Sequence, residues 1–208
     1  MDKSKIIVAL DNFSVPMAKE VIEKYSNDVR GFKMNHTLYP YMGKEEYNNI
    51  FCDYKLFDIP NTMCSIIEYL IYSGAEMATI HMNNNIKAIE SLRKYANEIK
   101  LLGVTFLTSW DYDDTRNVYN KSAYNLYKRS SLLMKDNGFW GMICSPKDLL
   151  LLKNDIPDSN KLKKICPGIR YNVDDKQDQI RVSTPEDAIK DGADYLVMGR
   201  SFFNKEFI

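Results

Sequence analysis

Asp53, Lys55 and Asp58 stand at the end of a run that begins Ile50-Phe51-Cys52, and Lys33 lies near the end of a shorter apolar run, Gly31 to Met34. Apolar residues that lead straight into charges place those charges at the end of a buried strand, where an unpaired ion is costly. Side chains alternate along a strand, so Asp53 and Lys55 face the same side, while Asp58 lies beyond, near the break that Pro60 imposes. A carboxylate and an ammonium group held together there can position a proton and tune its acidity. The same spacing also fits an ordinary ion pair at a strand end, worth little. The rest of the chain decides between the two.

A second group of residues suits an anion. Arg200 follows Gly199 directly after Tyr195-Leu196-Val197-Met198, and Ser201-Phe202-Phe203 begins a last helical turn. Glycine lets backbone N–H groups approach an anion, a helix start adds a favourable dipole, and arginine supplies a forked cation, so phosphate is the natural ligand. Pro167-Gly168-Ile169-Arg170 closes another apolar run and opens a polar stretch from Tyr171 to Asp178, followed by Gln179-Ile180-Arg181. That stretch is long enough to fold over a bound group, with Gln179 as a neutral donor, and by length it fits a solvated loop equally well.

The elements that must position these groups are short apolar runs alternating with helical patterns. Eight runs can be counted: Lys5–Leu10, Gly31–Met34, Ile50–Leu56, Met77–His81, Leu101–Leu107, Phe139–Cys144, Lys164–Pro167 and Tyr195–Met198. Amphipathic segments such as Val15–Tyr25, Thr62–Tyr72, Ile86–Ile99, Val118–Lys135 and Pro185–Lys190 lie between them. Eight strands with seven intervening helices and a short C-terminal one predict a (β/α)8 TIM barrel, a compact single α/β domain over residues 1–208. Chemistry in such a barrel sits at the C-terminal ends of the strands. Asp11, Lys33, Asp53 with Lys55, His81, Thr108 with Ser109, Ser145, Arg170 and Arg200 all fall at or just after those ends.

Composition narrows the partners. The chain has 208 residues, 45% hydrophobic and 27% charged, enough for one well-buried core. Its 28 basic and 28 acidic residues cancel, and no basic run marks a nucleic-acid or membrane surface, so any phosphate recognition must be local. Cys52, Cys64, Cys144 and Cys166 lack Cys-x-x-Cys pairing, and three lie in apolar runs, which predicts reduced core cysteines in a cytoplasmic protein and no zinc site. The run Ile6–Leu10 is too short for a signal segment, and no apolar run approaches the length of a membrane span.

Together the motifs resemble the orotidine 5′-phosphate decarboxylase family. The resemblance is carried by Val8-Ala9-Leu10-Asp11, Phe32-Lys33, Asp53-Tyr54-Lys55-Leu56-Phe57-Asp58-Ile59-Pro60-Asn61-Thr62, Val104 to Ser109, Pro167 to Arg170, Asp178 to Arg181, and Gly199-Arg200. The Asp-x-Lys-x-x-Asp-Ile-Pro-Asn-Thr block is the specific element, and the shorter motifs are specific only in its company. The resemblance implies a (β/α)8 homodimer that decarboxylates orotidine 5′-monophosphate to UMP in pyrimidine biosynthesis, without metal or organic cofactor. It further implies that Lys33, Asp53, Lys55 and Asp58 form an alternating charge network in which Lys55 protonates C6. Asp11 and Lys33 would hold the ribose, Thr108 the base edge, and Arg170, Gln179, Gly199 and Arg200 the phosphate. Asp58 and Thr62 would reach into the neighbouring subunit's site.

Three places depart from the family pattern. Asn35-His36 follows Lys33-Met34 where a glycine is usual, Met82-Asn83-Asn84-Asn85 follows His81 where small residues are usual, and Phe57 replaces a common histidine. His36 and His81 read as structural. Two rival readings remain at this point: a metal-dependent sugar-phosphate lyase or synthase of the wider superfamily, which carries a carboxylate where this chain has Lys33, and a nucleotide-phosphate binding protein without turnover.

Overall fold

Alternation along the apolar runs builds two cores from one set of strands. Ile7, Phe51, Met77, Leu102, Val104, Ile143, Ile165 and Val197 pack together as one cluster, filling the interior of a closed barrel. Residues of the other parity, such as Ile6, Val8, Phe32, Cys52, Ala78 and Ile80, join the second cluster, beneath the helices. The computed structural model describes residues 2–42, 49–171 and 181–206, the side chains of residues 204–206 excepted. Its strands are β1 (Ile6–Ala9), β2 (Gly31–Met34), β3 (Ile50–Leu56), β4 (Ala75–His81), β5 (Lys100–Val104), β6 (Gly141–Ile143), β7 (Lys163–Cys166) and β8 (Tyr195–Met198). Each pairs in parallel with the next, and β8 closes on β1 with Ile7 opposite Val197. The predicted (β/α)8 barrel is the observed fold.

The helices follow their apolar spacing. α1 (Val15–Tyr25) buries Ala18, Ile22 and Tyr25, and α2 (Pro60–Tyr72) buries Met63, Ile67 and Leu70, in both cases one stripe at i, i+4, i+7. Three connections differ from the expected one-helix pattern. Between β2 and β3 the described residues hold only a single 3-10 turn, Tyr39–Tyr41. The Ile86–Ile99 segment divides into α3 (Ile86–Glu90) and a 3-10 turn at Arg93–Tyr95. The Val118–Lys135 segment is broken where Asn120 adopts φ 50°, ending α4 (Tyr112–Tyr119) before Ser122 caps the start of α5 (Ala123–Asp136). Asparagine tolerates the left-handed region and serine accepts from the N3 N–H, so local chemistry overrides the continuous apolar stripe. α6 (Leu149–Asp155), α7 (Pro185–Asp191) and α8 (Arg200–Glu206) complete the ring.

The lower end of the barrel is closed by charge and aromatic contact. Arg30 makes two hydrogen bonds to Glu76, at 2.9 and 2.6 Å, and Lys100 pairs with the same carboxylate. Trp140 and Tyr195 stack beside them with ring centroids 5.6 Å apart. These contacts cover the N-terminal ends of the strands, and a cavity lies at their C-terminal ends. Among the described residues no helix is long and apolar enough to cross a membrane.

Candidate active site

The site begins with an irregularity in β3. Cys52 lies opposite Ala78 of β4 and Leu56 lies opposite Ile80, so four steps of β3 span two steps of β4. Residues 53–55 form a bulge, a device that re-aims side chains where regular pairing would not. Within it Lys55 has φ 49°, a left-handed conformation that costs a non-glycine residue about 1–2 kcal/mol. The consequence is that Asp53 and Lys55 both reach the barrel mouth and meet each other.

Asp53 is the hub. Its Oδ2 accepts from Lys55 Nζ at 2.9 Å and from Lys33 Nζ at 3.1 Å, and its Oδ1 accepts from the Thr79 hydroxyl at 2.9 Å. Lys33 also pairs with Asp11, so the order of charges across the mouth is Asp11, Lys33, Asp53, Lys55. Burial alone would raise the Asp53 carboxyl, but Lys33 and Lys55 beside it reverse that and bring its pKa down to about 2. Burial would lower the Lys33 ammonium group, and the charges of Asp53 and Asp11 outweigh it, holding its pKa above the ordinary value. Asp53 is therefore ionised and Lys33 protonated at neutral pH. Lys33 and Asp53 side chains are only 12% and 13% exposed, whereas Lys55, at 39%, is the most exposed member of the row.

These groups line a cavity of about 440 Å³, within the size range of small-molecule sites. Phe51, Val104, Ile143 and Val197 form its apolar floor, the upper layer of the barrel interior. Thr108 and Ser109 line it after β5, Pro167, Gly168 and Arg170 after β7, and Gly199 and Arg200 after β8. Gly168 has φ 76°, a turn that only glycine makes cheaply. The chain beyond it pairs with Ser183: Arg170 N–H donates to Ser183 O at 3.0 Å, and Ser183 N–H to Gly168 O at 3.2 Å. Gly199 has another reason to be glycine. A Cβ there would touch nothing closer than Ala9 at 3.8 Å, so the missing side chain relieves no crowding and leaves open backbone at the cavity wall.

The structure thus brings Asp11, Lys33, Asp53, Lys55, Thr108, Arg170, Gly199 and Arg200 to one cavity. Asp58 and Thr62 are not among its lining residues. Asp58 is exposed, its carboxylate accepting the Ile59 N–H at 2.7 Å, and Thr62 sits in the first turn of α2. Gln179 lies outside the described residues.

The departures from the family pattern have local structural roles. Asn35 Oδ1 accepts from the Thr37 N–H and hydroxyl, closing a turn. Asn83 donates to Thr105 O, Asn84 to the carbonyl of Asp58, and Asn85 caps α3. Phe57 meets His81 edge to face at 5.7 Å, and burial followed by the charge of Lys55 lowers the His81 pKa. His81 Nδ1 accepts the Asn83 N–H and does not line the cavity. His36 is exposed and packs edge-on to Tyr54.

Two features were not among the sequence expectations. Thr79 is fully buried in β4, and the available signal was parity, since Met77, Thr79 and His81 share the inward face while Thr79 alone puts a hydroxyl in mid-strand. Asp148 is a fully buried carboxylate paired with Arg181, and nothing in its Pro146-Lys147-Asp148 setting distinguishes it from a surface helix start.

The sequence matches, over residues 4–206, the model of the Orotidine 5'-phosphate decarboxylase / HUMPS family. It is 34% identical to an orotidine 5′-phosphate decarboxylase of Prochlorococcus marinus (strain MIT 9215), across 96% of this chain and 88% of that protein. It is likewise 34% identical to that of Dictyoglomus thermophilum, across 94% and 86%. A crystal structure of orotidine 5′-phosphate decarboxylase from Lactobacillus acidophilus matches with a TM-score of 0.76 at 27% identity, covering 95% of this chain and 90% of that one. Barrel, charge row and near full-length similarity agree, and the chain belongs to the orotidine 5′-phosphate decarboxylase / HUMPS family.

Proposed function

We propose that this protein decarboxylates orotidine 5′-monophosphate to UMP, with Lys55 delivering the proton to C6. The observation that carries the reading is the convergence of two ammonium groups, Lys33 and Lys55, on one oxygen of Asp53 in a cavity whose other wall holds Arg170, Gly199 and Arg200. The C6–carboxylate bond breaks, CO2 leaves with no electrons from the bond, and the pair left on C6 takes a proton from the Lys55 ammonium group. Asp53 stays ionised and opposes the substrate carboxylate. At ~4 Å and an effective dielectric of about 20 that repulsion is about 4 kcal/mol, or about three powers of ten in rate. Accelerations by enzymes extend to ~23 kcal/mol, so stabilisation of the C6 carbanion by Lys55 in a closed site must contribute more.

The remaining roles are carried over by motif, and for the residues that line the cavity they agree with position. Asp11 Oδ1 is buried and accepts no hydrogen bond among the described residues, which suits a ribose hydroxyl beside Lys33. Thr108 faces the base, and Arg170, Gly199, Arg200 and Gln179 hold the phosphate. The site needs neither metal nor organic cofactor, and Lys33 occupies the place between Asp11 and Asp53 that a cation would need. The working unit is a homodimer in which Asp58 and Thr62 serve the neighbouring site, consistent with exposed Phe57 and Ile59 on either side of Asp58. Reduced cysteines, free among the described residues, fit the cytoplasm.

The test is purified protein with orotidine 5′-monophosphate, with and without a chelator, following loss of the orotate chromophore and release of UMP. Chelator-resistant conversion is expected. Metal-dependent action on a sugar phosphate, or tight UMP binding without turnover, would overturn the reading.

A further inference from the structure

We infer that Thr79, which does not line the cavity, is a positioning residue that fixes both the bulged backbone of Lys55 and the carboxylate of Asp53 through one hydroxyl group. Its Oγ1 accepts the Lys55 backbone N–H at 2.8 Å and donates to Asp53 Oδ1 at 2.9 Å. Asp53 Oδ2 then holds Lys55 Nζ at 2.9 Å, so the three residues form a closed ring of hydrogen bonds.

The bulge makes this ring necessary. Residues 53–55 have no partners in the β3–β4 register, which resumes only at Leu56 and Ile80. Lys55, at φ 49°, turns its N–H away from regular pairing, and a buried amide needs an acceptor. The Thr79 hydroxyl provides it. A hydroxyl group has one proton to donate and lone pairs to accept with, so giving its proton to Asp53 leaves it free to take the amide. Thr79 has no solvent exposure, and no water can substitute without rearrangement. One oxygen therefore sets where the lysine leaves the backbone and how the aspartate that restrains its ammonium group is turned.

Arg170 and Arg200 follow β7 and β8, opposite β3 and β4 in the closed strand order, whereas the three hydrogen bonds of this ring join residues of β3 and β4. Loss of the hydroxyl should therefore lower turnover while leaving grip on the phosphate in place. Thr79→Val keeps the shape and removes both hydrogen bonds. It should lower kcat by about tenfold to a hundredfold, the penalty of a reacting group misplaced by about 1 Å, with KM and UMP affinity changed by less than about threefold. Thr79→Ser keeps the hydroxyl group and should restore most of kcat. Thr79→Cys, close to serine in size but a weak donor, should remain low, and it carries the comparison if the valine variant does not fold.

The inference rests on the proposed decarboxylation, and the two fail differently. An unaltered chain that leaves orotidine 5′-monophosphate intact defeats the proposed function. An active chain whose Thr79→Val variant keeps kcat within about twofold, or whose serine and cysteine variants are equally active, defeats the role of Thr79 alone. A valine variant that folds like the unaltered chain but loses kcat and UMP affinity together also overturns it, because the hydroxyl group then supports the whole cavity and not the lysine alone.

Discussion

Arg181 Nη1 lies 2.8 and 2.9 Å from the two oxygens of Asp148, a carboxylate with no exposure to solvent. Tyr112 and Tyr127 donate their hydroxyls to the same carboxylate at 2.7 and 2.6 Å, and burial followed by Asp148 raises the Tyr112 pKa to about 12, so its phenol keeps its proton. The guanidinium group also faces the Phe106 and Tyr112 rings at 5.4 and 5.3 Å. This node fixes the segment that pairs, through Ser183, with Gly168 and Arg170 at the cavity wall. Removing one partner of a buried pair leaves the other charge uncompensated, at a cost of about 3–5 kcal/mol. Asp148→Ala should therefore lower stability by about that amount, read from the shift in urea midpoint. A loss under about 1 kcal/mol would show that the pair is solvated and does not anchor the wall.

Arg200 lines the cavity just after β8, and in the proposed reaction it contributes to rate through the phosphate. Binding energy on a non-reacting group can hold the pyrimidine in its reactive position. Arg200→Ala should lower kcat/KM on orotidine 5′-monophosphate by about tenfold to a hundredfold, as expected for one charged hydrogen bond. On the bare nucleoside, orotidine, the same variant should differ little from the unaltered chain. Equal losses on both substrates would remove the phosphate from its role.

The Asp53 carboxyl titrates near 2 in the folded chain against an ordinary 3.8, so its ionised form stabilises the fold. That stabilisation is complete above the unfolded value, near pH 4, and is lost as pH falls toward 2; at ~1.4 kcal/mol per unit it amounts to about 2 kcal/mol. Asp53→Asn should therefore be less stable than the unaltered chain at pH 6, with the gap narrowing as pH falls from 4 to about 2. Urea unfolding across that range measures it. A gap that stays constant with pH would mean that Lys33 and Lys55 do not depress the carboxyl.

The barrel was legible because period-two apolar runs record which strands are buried, and the cavity because polar residues follow strand ends. Lys33, Asp53, Lys55 and Arg200 were found in that way. The bulge was not, since a register shift depends on the facing strand and leaves Asp53-Tyr54-Lys55 looking like regular alternation. Thr79 was hidden for the same reason: a hydroxyl in an apolar strand reads as a β-branched core residue until its partners are known. The break at Asn120 was missed because the apolar stripe continues across it, while one left-handed residue ends the helix. Asp58 and Thr62 could be named from the motif, but neither lines the cavity of the described chain.

Their placement gives the last test. Asp58 is exposed, held through its carbonyl by Asn84, and flanked by Phe57 and Ile59 at 62% and 65% exposure, a combination that suits burial against a second copy. If Asp58 serves the neighbouring site, Lys55→Ala damages its own subunit's site and Asp58→Ala damages the partner's. A mixed dimer then carries both lesions in one site and none in the other. Statistical exchange makes about half the dimers mixed, so about a quarter of all sites regain both residues. Two inactive variants, mixed under conditions that allow subunit exchange, should recover about that fraction of the unaltered activity. Sedimentation must show dimers for each variant and for the mixture. Exchange without recovery would return Asp58 to the site of its own chain, because both lesions would then remain separate and every site would contain one.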